Sequence, residues 1–196
     1  MGIELLPKYI LENYEVHEWK HACAILKNDF NEEWNDIIDL LMQFRLCKSW
    51  IVEPGGRKSK VAENIDRFLI ARNWEEKKFS TSVKVDETLM ESPTHKIDCY
   101  KNRVALEIEW NNKDPFFDRD LNNFRLLFDL RAISVGVIIT RSDHLQQIFD
   151  SLGRGQSYGA STTHMAKLLP RIEGGSGAGC PILVFGITNN LIDPNC

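Results

Sequence analysis

A chain of 196 residues with 43% hydrophobic side chains is long enough to bury one complete core, so we expect a single domain over residues 1–196. Its formal net charge of −4 argues against a protein that coats nucleic acid through bulk positive charge. No apolar run approaches the roughly 18 residues of a membrane helix, and the first residues lack a signal-peptide pattern. We therefore expect a cytoplasmic protein with no membrane partner. The five cysteines are odd in number and widely scattered, which favours reduced thiols over a disulfide framework.

The first part of the chain predicts a strand followed by a helix. Residues 14–19 alternate weakly between apolar and polar side chains, as a strand does. Asp29 and Glu32 form a capping-box pattern, and large apolar residues then recur at helical spacing as far as Phe44. We therefore expect a helix that begins at Asp29 and packs one face inward.

A second helix and a strand are predicted next. Ser59 is placed to cap a helix that ends near Asn73, and residues 81–85 alternate as a strand. Basic residues at 45–48 and 57–60 are candidates for contacts with phosphates, although solvated surface lysines would give the same pattern.

The second half of the chain alternates helices with apolar strands. Residues 134–140 and 181–188 are nearly all apolar, as expected of strands buried on both faces. Helical patterns cover 118–130, 143–152 and 162–169. This alternation predicts an α/β fold with a central mixed β-sheet flanked by helices.

Charged residues interrupt one further apolar strand. Along 104–110 the large apolar side chains alternate with Ala105, Glu107 and Glu109. Because successive strand residues point to opposite faces, both carboxylates share a face. Solvent-facing glutamates on a half-exposed strand are the simple alternative.

A third acid precedes this strand. If Lys101 and Asn102 form the tip of a hairpin, Asp98 lies opposite Ala105 and diagonal to Glu107. Diagonal neighbours are roughly 7–8 Å apart, which allows long carboxylates to converge on one cation. Like charges that close repel, and a divalent metal relieves the repulsion. The register therefore predicts a cation site.

Two short motifs suggest other chemistry. His17 and His21 match the HExxH pattern of zinc proteases, which requires a helix; a strand would hold the two residues about 13 Å apart. The glycine-rich run 174–179 leads into a strand and lacks a Gly-Lys-Ser/Thr ending, so a flexible connection describes it better than a phosphate loop.

Asp98 with Glu107 and Glu109 resembles the PD-(D/E)xK nuclease motif, and more narrowly its variant in the BglII, BstYI and BamHI group of restriction endonucleases. In that variant Glu or Gln stands where most of the superfamily has Lys. The resemblance covers roughly residues 14–190 and implies a restriction-endonuclease-like core. It also implies a homodimer that encircles double-stranded DNA, uses Mg²⁺ and cuts a short palindromic site with a GATC-containing core, leaving 5′-phosphate and 3′-hydroxyl ends. A cognate DNA methyltransferase would be its functional partner in the cell.

The same resemblance implies catalytic roles for individual residues. Asp98 and Glu107 would be metal ligands, while Glu109 occupies the usual lysine position and would bind the metal or orient water. A further acid is expected shortly after Trp74, where Glu75 and Glu76 are the candidates and Glu76 is preferred.

Base and phosphate contacts are expected in two segments. The first follows the catalytic strand, although its two asparagines also suit a plain turn, and the second lies in the polar stretch 153–179, which an ordinary surface loop would also explain. The implied DNA-binding residues are Asn111, Asn112, Lys113, Asp114, Arg154, Ser161, Thr162 and Thr163. Residues 119–130 would lie near the dimer interface. The alternative functions are a structure-directed or repair nuclease, a catalytically silent DNA-binding protein and, last, a zinc protease.

Overall fold

A computed structural model describes residues 2–53, 58–92, 94–113 and 115–196. In chain order the elements are α1 Lys8–Asn13, β1 Tyr14–Trp19, α2 Ala22–Asp29, α3 Asn31–Gln43, β2 Leu46–Cys47, α4 Lys48–Val52, α5 Lys60–Ile70, β3 Glu75–Lys77, β4 Thr81–Val85, β5 Thr88–Ser92, β6 Ile97–Lys101, β7 Val104–Ile108, α6 Phe116–Asp129, β8 Val135–Arg141, α7 Leu145–Ser151, α8 Met165–Glu173, β9 Ile182–Ile187 and β10 Ile192–Asp193.

Six of these strands form the central sheet, in the order β1-β9-β8-β7-β6-β3. Strands β7, β8 and β9 run parallel to one another, whereas β6 is antiparallel to β7 and β1 is antiparallel to β9. The mixed sheet confirms the predicted fold class. The predicted strand at 81–85 also forms, but it pairs with β5 in a separate hairpin rather than joining the sheet.

Apolar side chains cover both faces of the sheet. One face packs with α2, α3 and α5, and the other packs with α6 and α8. Leu106 and Ile108 belong to the first layer and Ala105 to the second, which confirms the predicted alternation along β7. Both faces of β7 are therefore buried, and a charged side chain on this strand has no access to bulk water without a cleft.

The predicted start of the first long helix was wrong. Asp29 ends α2, and α3 begins after Phe30 without a side-chain cap. The apolar residues Ala22, Cys23 and Leu26 are buried in α2, so packing stabilises this segment as a helix. Asp29 is the last residue of that helix and therefore does not cap α3. Ser59, in contrast, caps α5 as predicted, because its Oγ accepts a hydrogen bond of 3.1 Å from the next turn.

The expectation that all cysteines are reduced was also wrong. Cys47 and Cys196 form a disulfide across 149 residues. Pairing of β10 alongside β2 brings the last residues of the chain beside Cys47. The other three cysteines are free and buried. Within the described ranges, no helix is long and apolar enough to cross a membrane.

Strand β1 contains the first half of the HExxH motif. His17 lies within this strand and its ring nitrogen contacts Glu15 at 3.1 Å, while His21 lies beyond the strand in the left-handed region, at φ 59°. The helix that a zinc protease needs is absent from this described segment, as the strand-like period predicted.

Candidate active site

A two-residue turn joins β6 to β7. Asn102 and Arg103 form it, with φ values of 43° and 70°. Positive φ at both central residues is the signature of a type I′ turn, whose twist matches that of the flanking strands. Lys101 therefore pairs with Val104 as the last residue of β6, and the predicted tip at Lys101 and Asn102 was wrong.

The corrected register moves the acids closer together. Cys99 pairs with Leu106, so Asp98 lies directly opposite Glu107 instead of diagonal to it. A register change of two residues keeps every side chain on its predicted face, because the strand period is two. Directly opposed residues have Cβ atoms about 4.5–5.5 Å apart, well within the reach of two carboxylates.

Hydrogen bonds hold both carboxylates at the end of this strand pair. The Asp98 backbone N–H donates to Glu107 Oε2 at 3.2 Å, and the Ile108 N–H donates to Asp98 Oδ2 at 3.0 Å. Glu107 is only 1% exposed, and its Oε1 has no hydrogen-bond partner among the described residues. An unpartnered carboxylate oxygen at this depth is available to a cation.

Further polar side chains surround Glu109. Its Oε2 accepts a hydrogen bond of 2.8 Å from Asn112 Nδ2, and its Oε1 lies 3.8 Å from Arg119 Nη2. Asp120 is close enough to the Glu109 carboxyl to raise its pKa, and the same guanidinium lies 3.1 Å from Asp120 Oδ1. Glu107, Glu109 and Asp120 thus form one buried acidic cluster with Arg119 at its edge.

Burial and mutual repulsion raise the pKa values of this cluster. Burial, followed by the charges of Asp120 and Asp98, holds the pKa of Glu107 well above its usual value. Burial and Asp120 raise the pKa of Glu109 to about 10. Burial also raises the pKa of Asp98, although the Ile108 N–H opposes the shift. The cluster therefore favours whatever neutralises it, either protons or a bound cation.

Asp98 lines an open cleft, whereas Glu107 and Glu109 do not. The residues that line this cleft, of about 710 Å³, include Asp98, Glu76, Arg154 and Asn112. Lys58 also lines it and forms an ion pair with Asp66. The lining of this cleft therefore contains carboxylate, cationic and amide side chains together.

The two candidates for a further acid differ in position. Glu76 lines the cleft and forms an ion pair of 2.6 Å with Lys96. Glu75 forms an ion pair of 2.9 Å with Lys77 and does not line the cleft. The geometry thus agrees with the preference for Glu76, whose catalytic role stays a prediction.

The two predicted DNA-binding segments meet in space. Lys113 pairs with Thr162 in an isolated β-bridge, and the Thr163 N–H donates to Asn112 O at 2.8 Å. This contact joins the end of the catalytic strand to a loop some 50 residues away. Asp114 lies outside the described residues.

Individual side chains of these segments differ in their access to DNA. Ser161 is exposed and Arg154 lines the cleft, where its Nη2 donates to Glu53 O at 3.3 Å. Thr162 and Thr163 are buried, and Thr162 Oγ1 accepts a hydrogen bond of 3.1 Å from Arg141. The two threonines support the loop in the free protein, and their contact with DNA stays a prediction.

Arg119 and Asp120 were missed by the sequence analysis as site residues. Asp120 is fully buried and one of its oxygens has no partner among the described residues. A signal was present, because Asp120 falls at helical spacing between Phe117 and Phe124, on the buried side of α6. A buried acid within the apolar stripe of a helix indicates a functional site on the sheet against which that helix packs.

Two acids of the described site, Asp98 and Glu107, lie opposite each other on neighbouring strands. No group of three or more His, Cys, Asp or Glu residues is arranged to hold a metal ion in the part of the chain that the structure describes. Mg²⁺ is commonly held by one or two carboxylates, with water and substrate phosphate completing its octahedron. The unpartnered oxygen of Glu107 opposite Asp98 fits such a site.

A mixed sheet that carries opposed acids at a cleft is the arrangement of a restriction-endonuclease-like nuclease. Comparison with protein-family models matches residues 14–187 to the family described as restriction endonuclease BglII/BglIII, and the chain belongs to this family. It is a type II restriction endonuclease, that is, a phosphodiester hydrolase that acts on DNA. A search of the curated proteins found no match.

Proposed function

We propose that this protein is a Mg²⁺-dependent endonuclease that cuts both strands of duplex DNA at a short palindromic site with a GATC-containing core, leaving 5′-phosphate and 3′-hydroxyl ends. The observation that carries the proposal is the pair Asp98 and Glu107, opposed across β6 and β7 beside the cleft, with Glu107 Oε1 unpartnered. The family supplies the class of reaction.

The residues around this pair have separate tasks in the proposal. Asp98 and Glu107 hold the metal ion, which when bound lowers the pKa of water and neutralises charge on the phosphate. Glu109 orients the attacking water, and Glu76 is a further acid at the cleft. Arg154 and Lys58 contact phosphates.

A palindromic site suits two copies of the chain, because a two-fold symmetric sequence matches a two-fold symmetric protein. We therefore propose a homodimer with residues 119–130 near its interface. A cognate methyltransferase would protect the host sites. We also propose that the protein acts in the cytoplasm; the argument from reduced thiols no longer supports this, since Cys47 is in a disulfide.

The test is cleavage of mixed-sequence plasmid DNA with Mg²⁺, followed by mapping of the ends. The wild-type protein is expected to give discrete fragments. Asp98→Asn and Glu107→Gln, which change charge with almost no change in volume, are expected to lose cutting while retaining DNA binding. Asp29→Asn is the matched control, because Asp29 is exposed at the end of α2, far along the chain from the site.

Other outcomes identify the alternatives. Random cutting would favour a structure-directed or repair nuclease. Specific binding without cutting by the wild type would favour a silent DNA-binding protein. Full activity in Asp98→Asn would refute the proposed metal site, and loss of cutting in Asp29→Asn would show that the assay reports general charge effects.

A further inference from the structure

Asn112 contacts both the catalytic cluster and the cleft. Its side-chain Nδ2 donates to Glu109 Oε2 at 2.8 Å, while the residue also lines the cleft in which DNA would lie. Glu109 itself is only 2% exposed and does not line that cleft. Asn112 therefore connects the cleft to the Glu109 carboxylate.

Two hydrogen bonds hold the backbone of Asn112 in place, so only its side chain can change conformation. Its N–H donates to Thr163 Oγ1 at 3.1 Å, and its carbonyl oxygen accepts from the Thr163 N–H at 2.8 Å. Thr163 is fully buried, and the adjacent Thr162 is held by Arg141. These contacts attach the turn that contains Asn112 to the loop that contains Thr162 and Thr163.

The chemistry of a side-chain amide allows two contacts at once. An amide carries two N–H donors and one carbonyl acceptor. Asn112 uses one donor on Glu109, and its second donor and Oδ1 bond no described residue. These are the two atoms with which asparagine contacts the edge of a base such as adenine in the major groove.

We propose that Asn112 is a positioning residue that couples base contact in the cleft to the placement of Glu109. The inference rests on the proposed DNA cleavage. A matching base fixes the amide through Oδ1 and one N–H, and the other N–H then holds the Glu109 carboxylate at one position. A base that cannot form both bonds leaves the amide free to rotate, and Glu109 loses its support. Base recognition and the rate at which the bound complex cleaves DNA are thereby linked through the Asn112 side chain.

A double-mutant cycle tests the coupling. Single-turnover cleavage of a duplex that contains the mapped site is measured at saturating protein for the wild type, Asn112→Ala, Glu109→Ala and the double variant. Asn112→Ala leaves the backbone contacts with Thr163 in place. It is expected to slow cleavage by the bound complex by about 100-fold, the loss that misplacing a catalytic group by about 1 Å can cause. In the Glu109→Ala background the same change is expected to have almost no effect.

Asn111→Gly is the matched control. Asn111 lies in the same turn and lines the same cleft, and its φ of 60° suits glycine, but its side-chain oxygen has no hydrogen-bond partner among the described residues. Its effect and that of Glu109→Ala are expected to multiply. Independent, multiplying effects of Asn112→Ala and Glu109→Ala would overturn the inference.

Affinity provides a second readout, measured with EDTA so that no cutting occurs. Asn112→Ala is expected to weaken binding of the mapped site by about 5- to 150-fold, the range for a bidentate base contact. If Glu109→Ala cuts too slowly to time, the same cycle is run on affinity, where a smaller Asn112→Ala effect in that background supports the coupling and an equal effect overturns it. A wild-type protein that cuts no specific site would refute the proposed function itself, whereas specific cutting with an additive cycle refutes only the coupling.

Discussion

Glu107→Gln is expected to stabilise the metal-free protein while abolishing its activity. Glu107 is 1% exposed, its Oε1 is unpartnered, and the charges of Asp120 and Asp98 act against its ionisation. Glutamine keeps an acceptor for the Asp98 N–H and places an amide N–H₂ beside the two acids. Relief of one buried, unsatisfied polar group corresponds to about 1–3 kcal/mol of unfolding free energy. For a chain of this size that is a rise in Tm of roughly 2–12 °C.

The effect has a defined dependence on pH. Burial raises the folded-state pKa of Glu107 above the ordinary glutamate value of 4.5, so above pH 4.5 the folded wild type binds more protons than the unfolded chain. Its stability therefore falls as pH rises towards the folded-state pKa, whereas glutamine does not titrate. The advantage of Glu107→Gln is expected to be small near pH 4.5 and to grow as the pH rises above it.

Differential scanning calorimetry across this pH range, with and without Mg²⁺, provides the measurement. Because a cation would neutralise the same cluster, Mg²⁺ is expected to raise the Tm of the wild type at about pH 8 and to have little effect on the variant. A variant that melts below the wild type at that pH would refute the reasoning. So would a difference in Tm that is the same at both ends of the pH range.

Three further predictions concern stability. Gly136→Ala would place a Cβ 2.4 Å from the Phe124 ring, between β8 and α6, and we expect a loss of about 1–3 kcal/mol in urea unfolding; an unchanged midpoint would contradict this packing. Ser59→Ala removes the N-cap of α5 and should lower the free energy of unfolding by about 1 kcal/mol, measured as a fall in Tm. Ser59→Asn keeps a capping side chain and is expected to melt at the wild-type Tm. Cys196→Ser opens the disulfide to Cys47 and should cost at most about 5 kcal/mol, since it releases a closed loop of 149 residues; the reduced wild type should then unfold with the same midpoint as this variant.

Local patterns were sufficient for the elements that depend on near neighbours. The alternation in β7 and the helical spacing in α6 follow from side-chain direction along a single segment, so the sequence reveals them. The Ser59 cap is similarly local. The start of α3 was misread because the capping pattern at Asp29 competes with burial of α2, which depends on the rest of the core.

Groups brought together from distant segments could not be predicted in the same way. The contacts between Asn112 and Thr163 and the disulfide at Cys47 join residues about 50 and 149 positions apart. Asp120 enters the acidic cluster only because α6 packs across the face of the sheet that carries Glu107. Such neighbours depend on the path of the whole chain, which a period of two or 3.6 residues does not encode.

The chain's own pattern determined that Glu107 and Glu109 share a face of a buried strand and that Asp98 lies on the adjacent strand. Tertiary structure decided which residue Asp98 opposes, because the left-handed residues Asn102 and Arg103 set the turn and therefore the register. It also decided the electrostatics of the site. Burial beneath α6 turns separate carboxyls into one cluster that needs a proton or a cation, and burial is a property of the packed sheet and helices rather than of any one segment.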